Sequence, residues 1–256
     1  MPKVPAKFTS RGPLWRKTWF RVCAAWLLCI ASLSAYAQSH DVTLHVNLTP
    51  GSARRRVHNI SPPSVAWLVP AGDDPATTPA PAARTFRMVQ KNKQFTPHLL
   101  VVPVGSMVEF PNEDPFFHNG FSLFNGKRFD LGLNETGSAR GVRFDREGVS
   151  YIFCNIHPEM GAVILALSTP YYAVSHDGDI AIPKVPPGRY TLNLWAEGAT
   201  AASLTAAKRP VTVSSDGAIL GAIDLVAAPS PITHHANKFG ESYPPAASGD
   251  SPSSPY

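Results

Sequence analysis

Cysteine is scarce in this 256-residue chain. There are three, with Cys23 and Cys29 inside the first thirty residues and Cys154 alone after them. A disulfide within the part downstream of residue 37 is therefore excluded. Charge is sparse too, at 16% of residues, and the first 37 hold no acid at all. There Lys3, Lys7, Arg11, Arg16, Lys17 and Arg21 lead into the apolar run VCAAWLLCIASLSAYA, which closes on Ala35-Tyr36-Ala37. A basic stretch, an apolar stretch and a small-residue site in that order predict a secretory signal over 1–37, cleaved after Ala37. The run is about 16 residues, short for a bilayer span of ~20. No stable membrane insertion is expected after cleavage, and the mature chain is expected in the periplasm.

The leader takes with it six of the 23 basic residues and none of the 18 acidic ones. That leaves 17 bases against 18 acids, a net of −1. The sequence pI near 9.2 thus belongs to the leader. Nucleic acid is not expected as a partner, because no basic face with interleaved aromatics remains. Arg54-Arg55-Arg56, the one dense basic spot, reads as a solvated loop. Helical periodicity is almost absent as well. No His-x-His pair occurs anywhere, which removes the histidine-rich clusters of multicopper oxidation. The chain is read as a non-enzyme.

What is present in quantity is short period-two apolar runs broken by Pro and Gly, such as 42–48, 64–69, 99–102, 107–111, 150–154, 162–167, 190–196 and 220–226. Many short strands separated by turn signals predict an all-β chain built as β-sandwiches. GDDPATTPAPAAR (72–84) reads as a linker, and 229–256, rich in Pro, Ser, Ala and Gly, as a disordered tail. Residues 85–168 form one β unit and 169–228 a second. Residues 41–71 supply two more strands with no core of their own. Joined to 169–228 they make about seven strands, a sensible small sandwich. The expected organisation is a discontinuous outer sandwich, 41–71 plus 169–228, with 85–168 inserted into it.

The stretch CNIHPEM (154–160) places Cys154, His157 and Met160 at three-residue intervals. A lone thiol is most often an inert buried side chain. In an oxidising compartment it must be deeply buried or tied to a metal to escape oxidation. Thiolate, imidazole and thioether are soft to borderline donors. With a second imidazole they make the blue-copper set of two His and one Cys in a plane and a distant Met on the axis. Structural zinc sites use no thioether and usually hold more than one cysteine. The spacing suits a tight loop at a strand end. His118, after the strand MVEFPN and the turn-rich EDP, is the candidate second imidazole. The Asn119 side chain is expected to bridge to the backbone of the cysteine loop. His98 is read as a surface or supporting residue, and His234-His235 as part of a solvated tail. Gln38-Ser39-His40, exposed by cleavage, would offer only a weakly specific Cu(II) chelate, which cyclisation of the terminal Gln would remove.

Phe95, Pro97, Leu99, Val101, Gly105, Val108, Phe110, Asn112 and Asp114, then His118-Asn119, then Tyr151, Phe153, Cys154, His157 and Met160 resemble the cupredoxin family. Plastocyanin-like and amicyanin-like members are the most similar. The resemblance covers about 80 residues. It implies a Greek-key β-sandwich holding one type 1 copper on His118, Cys154, His157 and Met160, which carries single electrons between redox partners docking near His157. The flanking YAVSHDGDIAIPKVPPGRYTLNLW, with SVAWLVP, resembles a smaller carboxypeptidase-regulatory-like or transthyretin-like, Ig-like sandwich. Bacterial proteins of this architecture are often labelled methylamine utilisation proteins. Two positions depart from the cupredoxin pattern. Gly120 stands where a bulky apolar residue is usual, and Glu159 where amicyanin-like loops carry an aromatic. Glu159 would place negative charge at the electron exit and favour a basic partner, with Phe116 and Phe117 left to supply apolar surface. Two other functions remain open to these residues: copper binding or delivery without electron turnover, and a non-metal envelope binding module.

Overall fold

Before the linker lie β1 (His40–Pro50) and β2 (Ser64–Pro70). After it come β3 (Thr85–Arg87), β4 (Val89–Lys91), β5 (Gln94–Thr96), β6 (Leu99–Pro103), β7 (Ser106–Pro111), β8 (Gly120–Ser122), β9 (Phe129–Asp130), β10 (Ala139–Phe144), β11 (Gly148–Cys154) and β12 (Gly161–Leu167). The chain closes with β13 (Tyr172–Ser175), β14 (Asp179–Val185), β15 (Gly188–Ala196), the helix α1 (Ala201–Ala207), β16 (Arg209–Val213) and β17 (Ala218–Ala227). This computed structural model describes residues 40–50, 61–72, 80–123, 126–232 and 235–243. The leader, Gln38-Ser39, Arg54-Arg55-Arg56, residues 73–79 of the linker and His234 lie outside the described residues. The described chain is all-β apart from one short helix, capped by the Thr200 side chain accepting from the Ser203 N–H.

The strands form four main sheets. One runs β14-β1-β17 and a second β13-β2-β15-β16. Strict alternation along β1 sends Val42, Leu44 and Val46 into the core between these two sheets, where they meet Ala66, Leu68, Leu192 and Leu194. The third sheet runs β6-β12-β11-β8-β9 and the fourth β10-β7-β3. Between them lies a second core of Val108, Phe110, Val142, Phe144, Ile152, Cys154, Ala162 and Ile164. Strands β1 and β2 thus share their sheets with strands from the far end of the chain. The return is fixed where the Leu68 N–H donates to the Tyr171 carbonyl at 2.9 Å and the Thr169 hydroxyl to the Leu68 carbonyl at 2.8 Å.

The two sandwiches also press on each other. The second face of β12 (Val163, Leu165, Leu167) meets Val101, Val65, Trp195 and Ile232 in a third buried cluster. That is why GAVILAL is apolar at every position: both faces of β12 are covered. The Trp195 indole N–H donates to the Tyr151 hydroxyl across this junction, at 3.2 Å. At its rim His98 Nε2 lies 2.9 Å from Glu197 Oε2. Glu197 lifts the His98 imidazole above its ordinary 6.5 against the opposing effect of burial, and His98 lowers the Glu197 carboxyl.

Two measurements follow from this junction. Leu165→Ala removes side-chain volume from a fully buried site and is expected to cost ~2–5 kcal/mol in urea denaturation. For the His98–Glu197 pair, the raised histidine stabilises fully below about 6.5 and stops doing so as pH rises through its folded value. The lowered carboxylate contributes above its ordinary 4.5 and is lost as pH falls through its folded value. His98→Gln is therefore expected to lose stability mainly between those limits, by under ~1 kcal/mol because the pair is partly solvated, and to match the parent at alkaline pH.

Candidate metal centre

Strand β11 carries the thiol to the end of the inner sandwich. Ile152 and Cys154 face the core shared with Phe110, while Phe153 stacks on His235 on the other side. Beyond Cys154 the chain closes on itself. The Cys154 N–H donates to the Met160 carbonyl at 3.0 Å, and the Met160 N–H to the His157 carbonyl at 3.1 Å. On the opposite flank the ladder pairs Phe153 with Phe121 and Cys154 with Gly120. The Asn155 N–H continues it, donating to the Asn119 carbonyl at 2.9 Å. His118 immediately precedes Asn119, so this ladder sets its imidazole beside the sulfur.

Both imidazoles turn Nδ1 to Cys154 Sγ, at 3.8 Å for His118 and 3.6 Å for His157. All three donor atoms lie within 4.8 Å of one another. An ion bound at ~2.3 Å to sulfur and ~2.0 Å to nitrogen with ~120° between them would hold S and N about 3.7 Å apart. The donor set, its convergence and the absence of a disulfide partner for the buried thiol fit a soft or borderline metal. Phe116 packs against both imidazoles, at 5.3 and 5.5 Å between ring centres. His118 and Cys154 are fully buried and His157 is half-buried.

A second layer aims the first. His118 Nε2 lies 2.8 Å from Asp114 Oδ2, which leaves Nδ1 for the sulfur side. Asp114 in turn accepts the N–H groups of Asn92 (2.7 Å) and Lys93 (3.0 Å). These two residues link β4 to β5 in left-handed conformation, with φ of 54° and 56°, so their successive N–H groups point one way. Asn112 accepts from the Asp114 N–H and donates to the carbonyls of Phe116 and Asn134. Asn134 holds His118 by paired main-chain bonds of 3.1 and 2.7 Å. Burial pushes the Cys154 thiol up, but the two imidazoles and the N–H groups of Asn119 and Ile156 bring it down to about 5. Burial works against a charged His118, yet Cys154 and Asp114 together raise it above its ordinary value. Asp114 is held below the usual carboxylate range despite its burial, by the Lys93 and Asn92 N–H groups and His118.

His118, Cys154 and His157 are brought together, then, and Met160 is fully buried in the same core cluster as Cys154. Several other readings need correction. The Asn119 side chain does not make the expected bridge to the cysteine loop, its Oδ1 being buried without a hydrogen-bond partner, and its carbonyl accepts from the Asn155 N–H instead. Where Gly120 replaces the usual bulky residue, Leu131 takes up the space, its Cδ1 2.9 Å from where a Cβ would be. Phe116 is half-buried against the imidazoles, and Phe117 and Ile156 are exposed. His98 does lie at the surface, paired with Glu197, while His40 begins β1 opposite Val185 and the Gln38 and Ser39 of its reading lie outside the described residues. The tail reading fails over 229–232 and 235–243. Ile232 is buried between the sandwiches, and His235 is not solvated but stacked on Phe153, 4.1 Å between ring centres. Asp114 and Asn112 stand in the sequence pattern without a role assigned to them; a carboxylate four residues before a histidine was the available signal.

Comparison with known proteins finds partial similarities. Residues 167–219 match the family described as polysaccharide lyase family 4, domain II. No curated protein matches the chain. Among solved structures it is similar to a Cu-containing nitrite reductase from Thermus scotoductus, at 25% identity and TM-score 0.32, over 39% of this chain. The chain spans only 28% of that reductase. A purple cupredoxin from Nitrosopumilus maritimus aligns at 27% identity and TM-score 0.29, over 34% of this chain and 100% of its own. A Cu(I) amicyanin mutant aligns at 18% identity and TM-score 0.30, over 40% of this chain and 98% of its own.

Asp114→Ala deprives two N–H groups and His118 of a charged acceptor and is expected to cost ~1–3 kcal/mol. Because the carboxyl is lowered, that contribution is present above its ordinary 3.8 and is lost as pH falls through the folded value. Urea denaturation at neutral and strongly acidic pH reads the difference.

Proposed function

We propose that this chain is an exported copper protein of the cupredoxin kind that carries single electrons and catalyses no reaction of its own. The observation that carries the proposal is the convergence of His118 Nδ1, Cys154 Sγ and His157 Nδ1 from two separate segments. In this reading His118, Cys154 and His157 would hold one type 1 copper with Met160 as the thioether donor. Bound copper would supply a one-electron Cu(I)/Cu(II) couple. The chain's own contribution is to keep the donors fixed. Asp114 and Asn134 lock His118, and the closed loop locks Cys154 to Met160. A site so braced needs little rearrangement when its charge changes.

His157 is the less buried imidazole, and the exposed Phe117, Ile156 and Pro158 surround its segment with Glu159. A redox partner is expected to dock there, in the periplasm, with basic groups that meet Glu159. The outer sandwich would tether or present the centre.

Adding Cu(II) to the mature chain is expected to produce an intense visible thiolate-to-copper band. Cys154→Ser should abolish it, and Met160→Leu should keep the colour while shifting the reduction potential. A colourless wild type, or colour in Cys154→Ser, refutes the type 1 assignment. Rapid surrender of copper to a chelator, with slow electron exchange, would point to metal delivery instead.

A further inference from the structure

We propose that the segment after β17 is a strap that positions the cysteine ligand, with the Tyr243 hydroxyl as its working contact. The proposal deepens the copper reading, on which it rests for the role of Cys154. Its basis is a gap in the β11–β12 ladder. Cys154 gives its N–H to the Met160 carbonyl, but Met160 spends its own N–H on the His157 carbonyl to close the ligand loop. Met160 therefore returns no bond to Cys154. The Tyr243 hydroxyl takes the Cys154 carbonyl instead, at 2.8 Å and from 89 residues away.

The contact is part of a fitted run of chain. Ile232 anchors it in the junction between the sandwiches, and Gly161 makes room there, because a Cβ at that position would stand 2.6 Å from Ile232 Cγ2. The His235 ring lies on Phe153, the residue before the ligand, at 17° between planes. The Lys238 N–H donates to the Asn155 side chain at 2.9 Å, at the residue after the ligand. The Lys238 ammonium pairs with Asp130 at 2.8 Å, on the strand next to β8. Tyr243 packs edge-on to His235, 5.4 Å between centres. The strap thus holds residues 153, 154 and 155 in succession from the side opposite the imidazoles. Tyr243 touches no donor atom and acts through the Cys154–Asn155 peptide, which makes it a positioning residue.

The test compares the full mature chain with Tyr243→Phe, which keeps the ring and removes the donor. Tyr190→Phe is the control, because it deletes the same kind of bond, tyrosyl hydroxyl to the Pro186 carbonyl at 2.8 Å, in the outer sandwich. Cys154 is the one thiol downstream of the leader, so dithiobis-nitrobenzoate reports its exposure alone in metal-free protein. Tyr243→Phe is expected to react about five-fold faster, the factor for one net hydrogen bond lost from a local opening. With copper added, loss of the metal to a chelator should quicken by a similar factor and the visible band should move. Tyr190→Phe should lower thermal stability and leave both rates unchanged. Equal thiol rates in Tyr243→Phe and wild type would overturn the proposal. So would equal acceleration by Tyr190→Phe, since the effect would then be global. If the thiol rates separate as expected but no chain takes up copper, the strap stands and the copper assignment falls.

Discussion

The register between β11 and β8 is the constraint on which the candidate centre depends. Cys154 stands opposite Gly120, and the next rung ties Asn155 to Asn119. A slip of one residue would send the thiol to the face that Phe153 occupies and separate it from His118. Two features hold the register. Phe121 and Phe153 pack together on one face, at 5.8 Å between ring centres. On the other, Leu131 fills the space left by Gly120, so the small residue beside the thiol admits a neighbour rather than a void.

From that register the site is built outward by main-chain carbonyls and short polar side chains. The left-handed turn at Asn92-Lys93 fixes Asp114, Asp114 fixes one nitrogen of His118, and the other nitrogen is left for the sulfur. Each of these groups is satisfied in place, as buried polar networks must be if they are to specify one geometry. Asp114 and His118 share the segment between β7 and β8, but the turn that fixes Asp114 lies between β4 and β5, so the imidazole is not oriented by its own loop alone.

The fold class was legible because alternation is a local property. Runs such as Val42, Leu44, Val46 and Ile152, Cys154 declare a face without knowledge of the partner sheet. The candidate loop was legible for the same reason, since Cys154 and His157 are close in sequence. His118 stood out only by its place at a strand end, and the resemblance strengthened it, because no local rule links residues 36 apart. What the sequence did not disclose were contacts of another order. The Asn119 side chain and carbonyl look alike as bridges until the ladder is drawn. The strap after β17 has the composition of a loose tail, and it is held down by Ile232, His235, Lys238 and Tyr243, spaced without any period. Its order comes from surfaces built elsewhere in the chain.

The covering of β12 on both faces has an outcome for the molecule as a whole. Leading in and out through neighbouring strands, the inner sandwich has the wiring of a detachable cassette. Detaching it would bare Val163, Leu165 and Leu167 on one part and Val65 and Trp195 on the other, a greasy flank on each that would drive self-association. The two halves are Siamese: neither can melt without stripping the other, so the candidate metal centre and the outer sandwich share a single fate under heat or protease.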